Sequence, residues 1–345
     1  MKFGITTFAE VHPDPGTGRT VSPGQRLRDL VEEVEVAEQA GLGVYGVGEH
    51  HRADFAASAP AVVLAAAAAR TRTIRLTSAV SVLSSADPVR VFQEYATLDL
   101  LSDGRAEVIA GRGSFVESFP LFGYDLEDYD DLFAEKLELL LALRASERVT
   151  WSGRFRPALR DAEVHPRPQQ DPLPVWVGVG GNPQSVVRAG LLGLPVALAI
   201  IGGSPAAFAP LADLHRRALE SGGHDPAQAP FAVHAHGYVA PTSEQARREY
   251  YPSYAAAMTA LGRERGWSPM TPEAFSAMTD PGGSLVLGTP EQVARKIVLM
   301  RETLGIERFL LHVSVGTLPH AHVLRAIELL GTEVAPLVER ELAGA

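Results

Sequence analysis

The sequence contains no cysteine. This absence excludes disulfide bonds, a thiol nucleophile, and any metal or iron–sulfur site that depends on cysteine ligands. Basic residues are also scarce, because 31 lysines and arginines face 41 aspartates and glutamates and leave a net charge of −10. A protein that binds nucleic acid needs a basic face to neutralise phosphates, so nucleic acid is not expected as a partner.

Long apolar runs are missing as well. The longest, at residues 59–69, is much shorter than the roughly 20 residues that span a bilayer, so no membrane contact is expected. The start, MKFGITTFAEVHPD, has one lysine and an apolar stretch broken by Glu10, His12 and Pro13, and therefore does not have the form of a signal peptide. With a hydrophobic fraction of 46%, the composition is that of a globular protein, and we expect a cytoplasmic enzyme.

Strand-like segments alternate with helix-like segments along the whole chain. The strand-like segments are short, apolar and rich in β-branched residues, which is typical of parallel strands buried on both faces. They lie at residues 3–8, 44–47, 74–82, 106–110, 175–179, 196–201, 232–239 and 309–315. Asp87-Pro88 and Thr289-Pro290 have the form of helix N-termini. The pattern predicts a single α/β domain over residues 1–345, a (β/α)8 TIM barrel, with a doubly wound open sheet as the alternative.

Two long segments interrupt this alternation, at residues 146–174 and 262–288. Long excursions in a compact domain are commonly binding loops or lids. We expect them to be insertions at the C-terminal face of the barrel, with 262–288 as the lid and 146–174 as a second contributor.

Functional groups of such a barrel lie at the C-terminal ends of its strands. Glu49-His50-His51 follows the second strand; His50 is a candidate general base or proton donor, with a structural hydrogen bond to Glu49 as the alternative. Arg112 lies between two glycines, and the run GGNPQS follows at 180–185. An arginine fork and the N–H groups of a helix N-terminus both bind anions, so together they predict a phosphate site. The alternative for Arg112 is an ion pair with a carboxylate.

Three histidines suggest a different chemistry. His234 and His236 lie two apart on the seventh strand and so face the same way, and His312 on the eighth strand could join them. Such a group could bind a metal ion and make the chain a metal-dependent hydrolase. No acidic residue accompanies these histidines on the two strands, which argues against the hydrolase.

Six segments, in the same order over nearly the whole chain, resemble the bacterial luciferase-like flavin monooxygenases. They are MKFGITTF at the start, VYGVGEHH at 44–51, the stretch 76–113, FGYD at 122–125, the stretch 175–198, and GTPEQVARKI at 288–297. The stretch 76–113 carries the most specific part of the resemblance.

The resemblance implies a (β/α)8 barrel that binds reduced flavin mononucleotide (FMN), reacts it with oxygen, and oxygenates an organic substrate. The lid and the aromatic residues that follow Arg112 indicate a small and partly apolar substrate. The resemblance implies that His50 assists the chemistry near the flavin ring. It places Ser78, Ala79 and Val80 against that ring and predicts a non-prolyl cis peptide at Ala79–Val80.

The resemblance also assigns the flavin phosphate to a set of residues that agrees with the predicted anion site. These residues are Arg112, Ser114, Gly180, Gly181 and Ser185. No metal ligand is implied.

The chain departs from luciferase itself at several of these positions. Luciferase has an acidic residue and a serine at the positions of Gly180 and Gly181, and an arginine at that of Asp130. We therefore expect phosphate binding to depend on the backbone and Arg112. Luciferase has a cysteine where this chain has Gly111, so light emission is not implied.

The resemblance further predicts a homodimer. The chain lacks a nicotinamide-binding fingerprint, so we expect a separate flavin reductase as a transient partner. A deazaflavin is the less favoured cofactor. A flavin-binding barrel without turnover is the non-enzymatic alternative.

Overall fold

Parallel strands form a closed barrel, and helices cover its outside. The structure is a computed structural model that describes residues 1–344. Its strands are β1 (Lys2–Thr7), β2 (Val44–Val47), β3 (Arg75–Ser78), β4 (Ser81–Val82), β5 (Ala106–Gly111), β6 (Arg148–Trp151), β7 (Leu159–Glu163), β8 (Val175–Val179), β9 (Val196–Ile200), β10 (Phe231–Val239), β11 (Val286–Gly288) and β12 (Arg308–His312).

The barrel is closed by the pairing of its last strand with its first. The order around the ring is β1, β2, β3, β5, β8, β9, β10 and β12, and β12 pairs in parallel with β1. The short β4 continues the line of β3 and pairs with β5. The predicted TIM barrel is therefore confirmed, and the open sheet is excluded because such a sheet would have two free edges.

The outer layer consists mainly of α-helices that follow the strands. They are α1 (Pro23–Gln39), α2 (Pro60–Ala68), α3 (Pro88–Leu101), α4 (Ser118–Phe122), α5 (Tyr129–Ala145), α6 (Pro183–Leu191), α7 (Ala209–Ser221), α8 (Ser243–Arg265), α9 (Pro272–Thr279), α10 (Pro290–Leu304), α11 (His320–Leu329) and α12 (Ala335–Ala343). None of the helices in the described part of the chain is long and apolar enough to cross a membrane.

Two predicted helix starts have the expected caps. The Asp87 side chain accepts hydrogen bonds from the N–H groups of Val89 and Arg90 at the start of α3. Thr289 and Gln292 form a reciprocal capping box at the start of α10. Both caps satisfy N–H groups that have no partner within the helix.

An ion cluster closes the barrel at its N-terminal end. Glu107 on β5 accepts hydrogen bonds from Arg308 on β12, at 2.7 Å, and from Arg75 on β3, at 2.5 Å. The Arg308 guanidinium also lies 4.1 Å from the centre of the Trp176 ring. Because this end is filled, access to the barrel interior is left to the C-terminal end.

The insertion at 146–174 lies along the outside of the barrel. It contains the antiparallel pair β6–β7, and it connects a helix to the following strand. Arg156 bonds to Asp87 and Gln170 to Asp99, so the insertion contacts both ends of α3. None of its residues lines either cavity described below, so its predicted contribution to the site is corrected: the segment packs against the outer helices.

Candidate active site

Two adjoining cavities lie at the C-terminal ends of the barrel strands. The larger has a volume of about 580 Å³ and lies beside β10, β12 and the end of α8. The smaller has a volume of about 310 Å³ and lies over β3, β5 and β8. Phe8, Ser114, Phe115 and Gly180 line both cavities, which are therefore two compartments of one site.

The smaller cavity is lined on its inner side by the chain between β3 and β4. The Ala79–Val80 peptide is cis, as predicted. Glycines on the neighbouring strands leave room for Val80: a Cβ on Gly111 would lie 2.4 Å from its Cγ2, and a Cβ on Gly178 would lie 2.6 Å from its Cγ1. Contacts this short would displace Val80. Glycine at these two positions thus lets Val80 project into the barrel and form part of the cavity wall.

The structure brings six of the nine predicted site residues to the smaller cavity. They are His50, Ala79, Val80, Arg112, Ser114 and Gly180. The other three do not line it. The Ser78 side chain is fully buried, and its hydroxyl exchanges hydrogen bonds with the backbone of Ile109. Ser185 lies on the buried face of α6, and Gly181 has φ +108°, in the region that favours glycine.

Arg112 lines the smaller cavity but is already paired. Its guanidinium donates to the Asp130 carboxylate at the start of α5 and lies 5.2 Å from the centre of the Tyr129 ring. The side chain of Asp130 is 61% exposed. The ion pair that sequence analysis left as the alternative for Arg112 is therefore present in the protein alone, and an anion would have to compete with Asp130 for the guanidinium.

Two polar residues of the cavity rim were missed by sequence analysis. Asn182 caps α6 by accepting the N–H of Gln184 at 2.8 Å, and its side chain also lines the cavity. Ser118 at the start of α4 has a buried hydroxyl without a hydrogen-bond partner. Asn182 lies inside the glycine-rich run and could have been found as its helix cap, whereas no pattern in the sequence marks Ser118.

His50 is enclosed by aromatic rings. It stacks on Phe55 at 4.3 Å between ring centres and meets Phe8 at 4.6 Å and Phe115 at 5.2 Å. Burial lowers the pKa of His50 to about 3, although the nearby Glu10 carboxylate acts in the opposite direction. The sequence argument assumed a pKa near neutral pH. The structure corrects this assumption: His50 is a neutral imidazole that can donate or accept a hydrogen bond.

The Glu49 hydrogen bond considered for His50 belongs to its neighbour. Glu49 Oε1 lies 2.8 Å from His51 Nε2, and Glu49 Oε2 accepts the N–H of Val82 at 2.9 Å. Glu49 therefore ties the end of β2 to β4, and His51 bonds to the same carboxylate. This leaves the side chain of His50 free of the carboxylate.

The three interior histidines do not form a metal site. His312 Nε2 lies 2.7 Å from Glu10 Oε1, and His312 Nδ1 lies 3.2 Å from His234 Nε2. Within residues 1–344, no group of three such side chains is arranged to hold a metal ion. The hydrolase alternative is therefore not supported, because His312 is engaged in hydrogen bonds. Its acidic partner comes from the segment after β1, where sequence analysis did not look.

Residues of the segment 262–288 border the larger cavity. Trp267 and Met278 of this segment line the cavity together with Glu264. Glu264 forms a two-pronged ion pair with Arg52, at 2.5 and 2.8 Å, which joins the end of α8 to the loop after β2. Arg265 donates to the carbonyl oxygen of Ser114 at 2.9 Å. These contacts join the end of α8 to the loops that follow β2 and β5.

Comparisons with known proteins agree on the nature of this barrel. A family model described as "Luciferase-like monooxygenase" matches residues 1–308. Limonene 1,2-monooxygenase of Rhodococcus erythropolis is 28% identical over 315 residues, which are 89% of this chain and 80% of that protein. An F420-dependent glucose-6-phosphate dehydrogenase of Amycolatopsis mediterranei is 32% identical over 45% of this chain and 48% of its own. The chain spans about half the length of most of the curated relatives it matches.

Solved structures share the whole architecture. A monooxygenase from Streptomyces bottropensis superposes with a TM-score of 0.84 at 25% identity and covers 97% of this chain and 99% of its own. The oxygenating constituent of 3,6-diketocamphane monooxygenase from Pseudomonas putida, in complex with FMN, gives a TM-score of 0.78 at 18% identity, with 98% of each chain covered. An identity of 18% supports a shared fold with this second structure and nothing more.

Proposed function

Because the chain belongs to the luciferase-like monooxygenase family, we propose that it is a flavin-dependent monooxygenase that uses reduced FMN and molecular oxygen to oxygenate a small organic substrate. One observation carries the proposal. Two compartments adjoin at the mouth of the barrel, and His50 packs against Phe8 and Phe115, which line both of them. A redox cofactor and a substrate in these compartments would meet beside His50.

The residues of the smaller cavity fit a flavin. Its inner wall is apolar and includes Val80, Ile109 and Leu310, which suits a planar ring. Its rim carries the Arg112 guanidinium and the unpartnered hydroxyl of Ser118, both of which can donate to a phosphate. Ala79 and Val80 would therefore support the ring, and Arg112, Ser114 and Gly180 would hold the phosphate.

The chain's own groups keep the reaction centre dry and neutral. When bound, reduced flavin supplies the electrons that activate oxygen. His50 is neutral at physiological pH, so it contributes a hydrogen bond rather than a positive charge. Phe8, Phe55 and Phe115 surround it and exclude water from its vicinity. Exclusion of water protects reactive species from decay.

The larger cavity supports a small and partly apolar substrate. Met258, Leu261 and Trp267 contribute apolar surface. The charged side chains Arg52 and Glu264, which also line it, are paired with each other and so do not require a charged ligand. We propose that 262–288 acts as the lid of this compartment. We further propose that the chain acts as a homodimer and that a separate flavin reductase supplies its reduced flavin.

Anaerobic titration tests the cofactor assignment. Purified protein is titrated with reduced FMN and, in parallel, with reduced F420, the deazaflavin cofactor of some relatives. We expect saturable binding of reduced FMN and much weaker binding of F420. Tight binding of F420 alone would instead favour a dehydrogenase, and binding of neither would contradict the proposal.

Rapid mixing with oxygen tests catalysis. The reduced FMN complex of the wild-type protein should be reoxidised at a rate different from that of free reduced FMN. The His50→Ala variant should retain the flavin and lose this difference. Reoxidation of the wild-type complex at the rate of free flavin would indicate a binding protein without turnover, and an unchanged His50→Ala variant would remove His50 from the mechanism.

A further inference from the structure

A histidine in the wall of the larger cavity has no hydrogen-bond partner. His236 lies on β10, and only 5% of its surface is exposed. Its Nδ1 is covered by protein and forms no hydrogen bond within residues 1–344. Its Nε2 forms none either and is not among the covered atoms, so this edge of the ring is in contact with the cavity. Because buried polar groups are nearly always paired, a free imidazole at this depth indicates a place for a ligand.

The imidazole of His236 is neutral. Burial lowers its pKa well below the usual value, and the adjacent His312 and His234 act in the same direction. A neutral imidazole has one nitrogen that donates a hydrogen bond and one that accepts. No protein group fixes which nitrogen carries the proton, so the ring can donate to a carbonyl oxygen or accept from a hydroxyl group. It offers no charge to an ionic ligand.

The polar groups beside His236 are already engaged with each other. The His312 ring centre lies 5.2 Å from that of His236, and His312 Nε2 lies 2.7 Å from Glu10 Oε1. A carboxylate cancels the charge of an imidazolium, so this pair carries no net positive charge in either protonation state of His312. A carboxylate ligand bound to His236 would therefore lie beside no uncompensated cation.

The cavity around these polar groups is mainly apolar. Ile201, Met258 and Val315 are part of its wall, which suits an apolar ligand body. A ligand without any polar group would nevertheless remove water from His236 and leave its nitrogens unpaired, which costs binding free energy. The cavity therefore suits an apolar body that carries a polar oxygen.

His236 also lies next to the cofactor compartment. His234, two residues earlier on β10, lines the smaller cavity, and the two ring centres are 6.0 Å apart. A ligand oxygen bonded to His236 would lie at the boundary between the two compartments. The polar group of such a ligand would thus be close to the proposed flavin site.

We infer that His236 is a specificity-determining residue of the larger cavity. It selects neutral ligands that carry a carbonyl or hydroxyl oxygen on an otherwise apolar body, and it disfavours hydrocarbons and carboxylates. The inference rests on the proposed function only in equating this ligand with the substrate. Because the selection is a property of the cavity, it can be measured without flavin.

Probes that share one carbon ring test the selection. They are cyclohexanone, cyclohexanol, methylcyclohexane and cyclohexanecarboxylate, and saturation-transfer NMR titration of the flavin-free protein gives a Kd for each. The probes differ in their solubility in water, so the informative quantity is the change in each Kd between the wild type and His236→Phe. This substitution removes both nitrogens and retains an aromatic ring.

His236→Phe should shift the Kd values in opposite directions. The Kd of cyclohexanone and that of cyclohexanol should rise because a hydrogen bond is lost, whereas that of methylcyclohexane should fall because no polar group is left unpaired. The ratio of the cyclohexanone Kd to the methylcyclohexane Kd should rise by roughly fivefold, the effect of one ordinary hydrogen bond. A merely structural role would shift all Kd values the same way.

The remaining outcomes are equally decisive. A rise confined to one of the two neutral oxygen probes supports the inference and identifies the preferred oxygen. An unchanged ratio for both of them, or no binding of any probe to the wild-type protein, overturns it. A larger rise for cyclohexanecarboxylate than for cyclohexanone overturns the selection of neutral ligands.

His12→Phe is the matched control variant. His12 also lines the larger cavity, and its Nδ1 is likewise without a partner, but the residue is partly exposed on the loop after β1. A ligand does not have to desolvate a partly exposed ring, so this variant should leave the ratio of Kd values unchanged. A change in His12→Phe in place of His236→Phe would overturn the role of His236.

Binding of reduced FMN separates this inference from the proposed function. His236 does not line the smaller cavity, so His236→Phe should bind reduced FMN as the wild type does. Failure of the wild-type protein to bind any flavin would refute the proposed function and leave the probe result standing. Normal FMN binding with an unchanged probe ratio would overturn the role of His236 alone.

Discussion

Neutralising Asp130 should strengthen the binding of FMN. The Asp130 carboxylate pairs with the guanidinium of Arg112, which is the cation that would hold the flavin phosphate. The phosphate must compete with this ion pair and must also lie close to a second negative charge. Asp130→Asn removes both obstacles and retains the size of the side chain.

The magnitude follows from the geometry. A phosphate bound to Arg112 would lie about 5 Å from the Asp130 carboxylate, where two unit charges in water interact by about 0.8 kcal/mol. The phosphate carries nearly two charges, and physiological salt screens about half of the interaction at this distance. Release of the half-exposed ion pair adds about 0.5 kcal/mol. The sum of about 1 kcal/mol corresponds to a roughly five- to tenfold lower Kd.

Quenching of FMN fluorescence measures this change, and riboflavin, which lacks the phosphate, is the ligand control. Asp130→Asn should lower the Kd of FMN and leave that of riboflavin unchanged. Asp131→Asn is the matched control variant, because Asp131 is the exposed neighbour on the same helix turn and does not contact Arg112. The reasoning is refuted if Asp130→Asn leaves the Kd of FMN unchanged, or strengthens riboflavin binding by the same factor.

Two further predictions concern stability. Folded His50 takes up its proton only near pH 3, whereas the unfolded chain does so near 6.5, so the stability of the wild-type protein falls as the pH drops between these values. Between pH 7 and pH 5, His50 should lower the free energy of unfolding of the wild-type protein by about 2 kcal/mol. In urea denaturation, the free energy of unfolding of His50→Gln should therefore fall by about 2 kcal/mol less than that of the wild type over this pH range. The exposed control His224→Gln should show the same fall as the wild type. Gly111→Ala should destabilise the fold by about 1–3 kcal/mol, because the new methyl group would meet Val80. Val80→Ala in the same chain should restore part of the loss: it removes the contact of 2.4 Å with Cγ2 and leaves one of 2.9 Å with Cβ. Equal pH dependence in His50→Gln, or no rescue by Val80→Ala, would contradict these accounts.

The strands could be predicted because buried parallel strands leave a strong local pattern. The predicted segments 44–47 and 175–179 coincide with β2 and β8. The predicted segment 74–82 is divided into β3 and β4 by the Ala79–Val80 peptide. The family resemblance located that peptide, and the glycines that accommodate Val80 lie on other strands, so no local pattern could have identified their purpose.

The charge state of the site could not be predicted, because it depends on residues that are distant in the sequence. Arg112 and Asp130 meet only because the first turn of α5 returns to the end of β5. His50 has an unusual pKa because three aromatic rings enclose it, and composition gives no hint of that enclosure. Glu10 receives its partners, His312 at the end of β12 and Ser314 just after it, from about 300 residues further along the chain. Sequence analysis therefore identified the cavity residues more readily than their partners.

Many ionisable side chains line the two cavities, yet most of their charges are paired or absent. This pairing explains how the site can still suit a neutral ring. Several ionisable groups at the mouth are paired or neutral: Arg112 is balanced by Asp130, Glu10 is linked through hydroxyl groups to Arg26, and His50 and His234 are neutral. A buried charge without a partner would attract water, and water would compete with oxygen and substrate for the reacting atoms. The balance of charge is therefore part of the proposed function, and a variant that leaves one of these charges alone should admit water even where it retains the flavin.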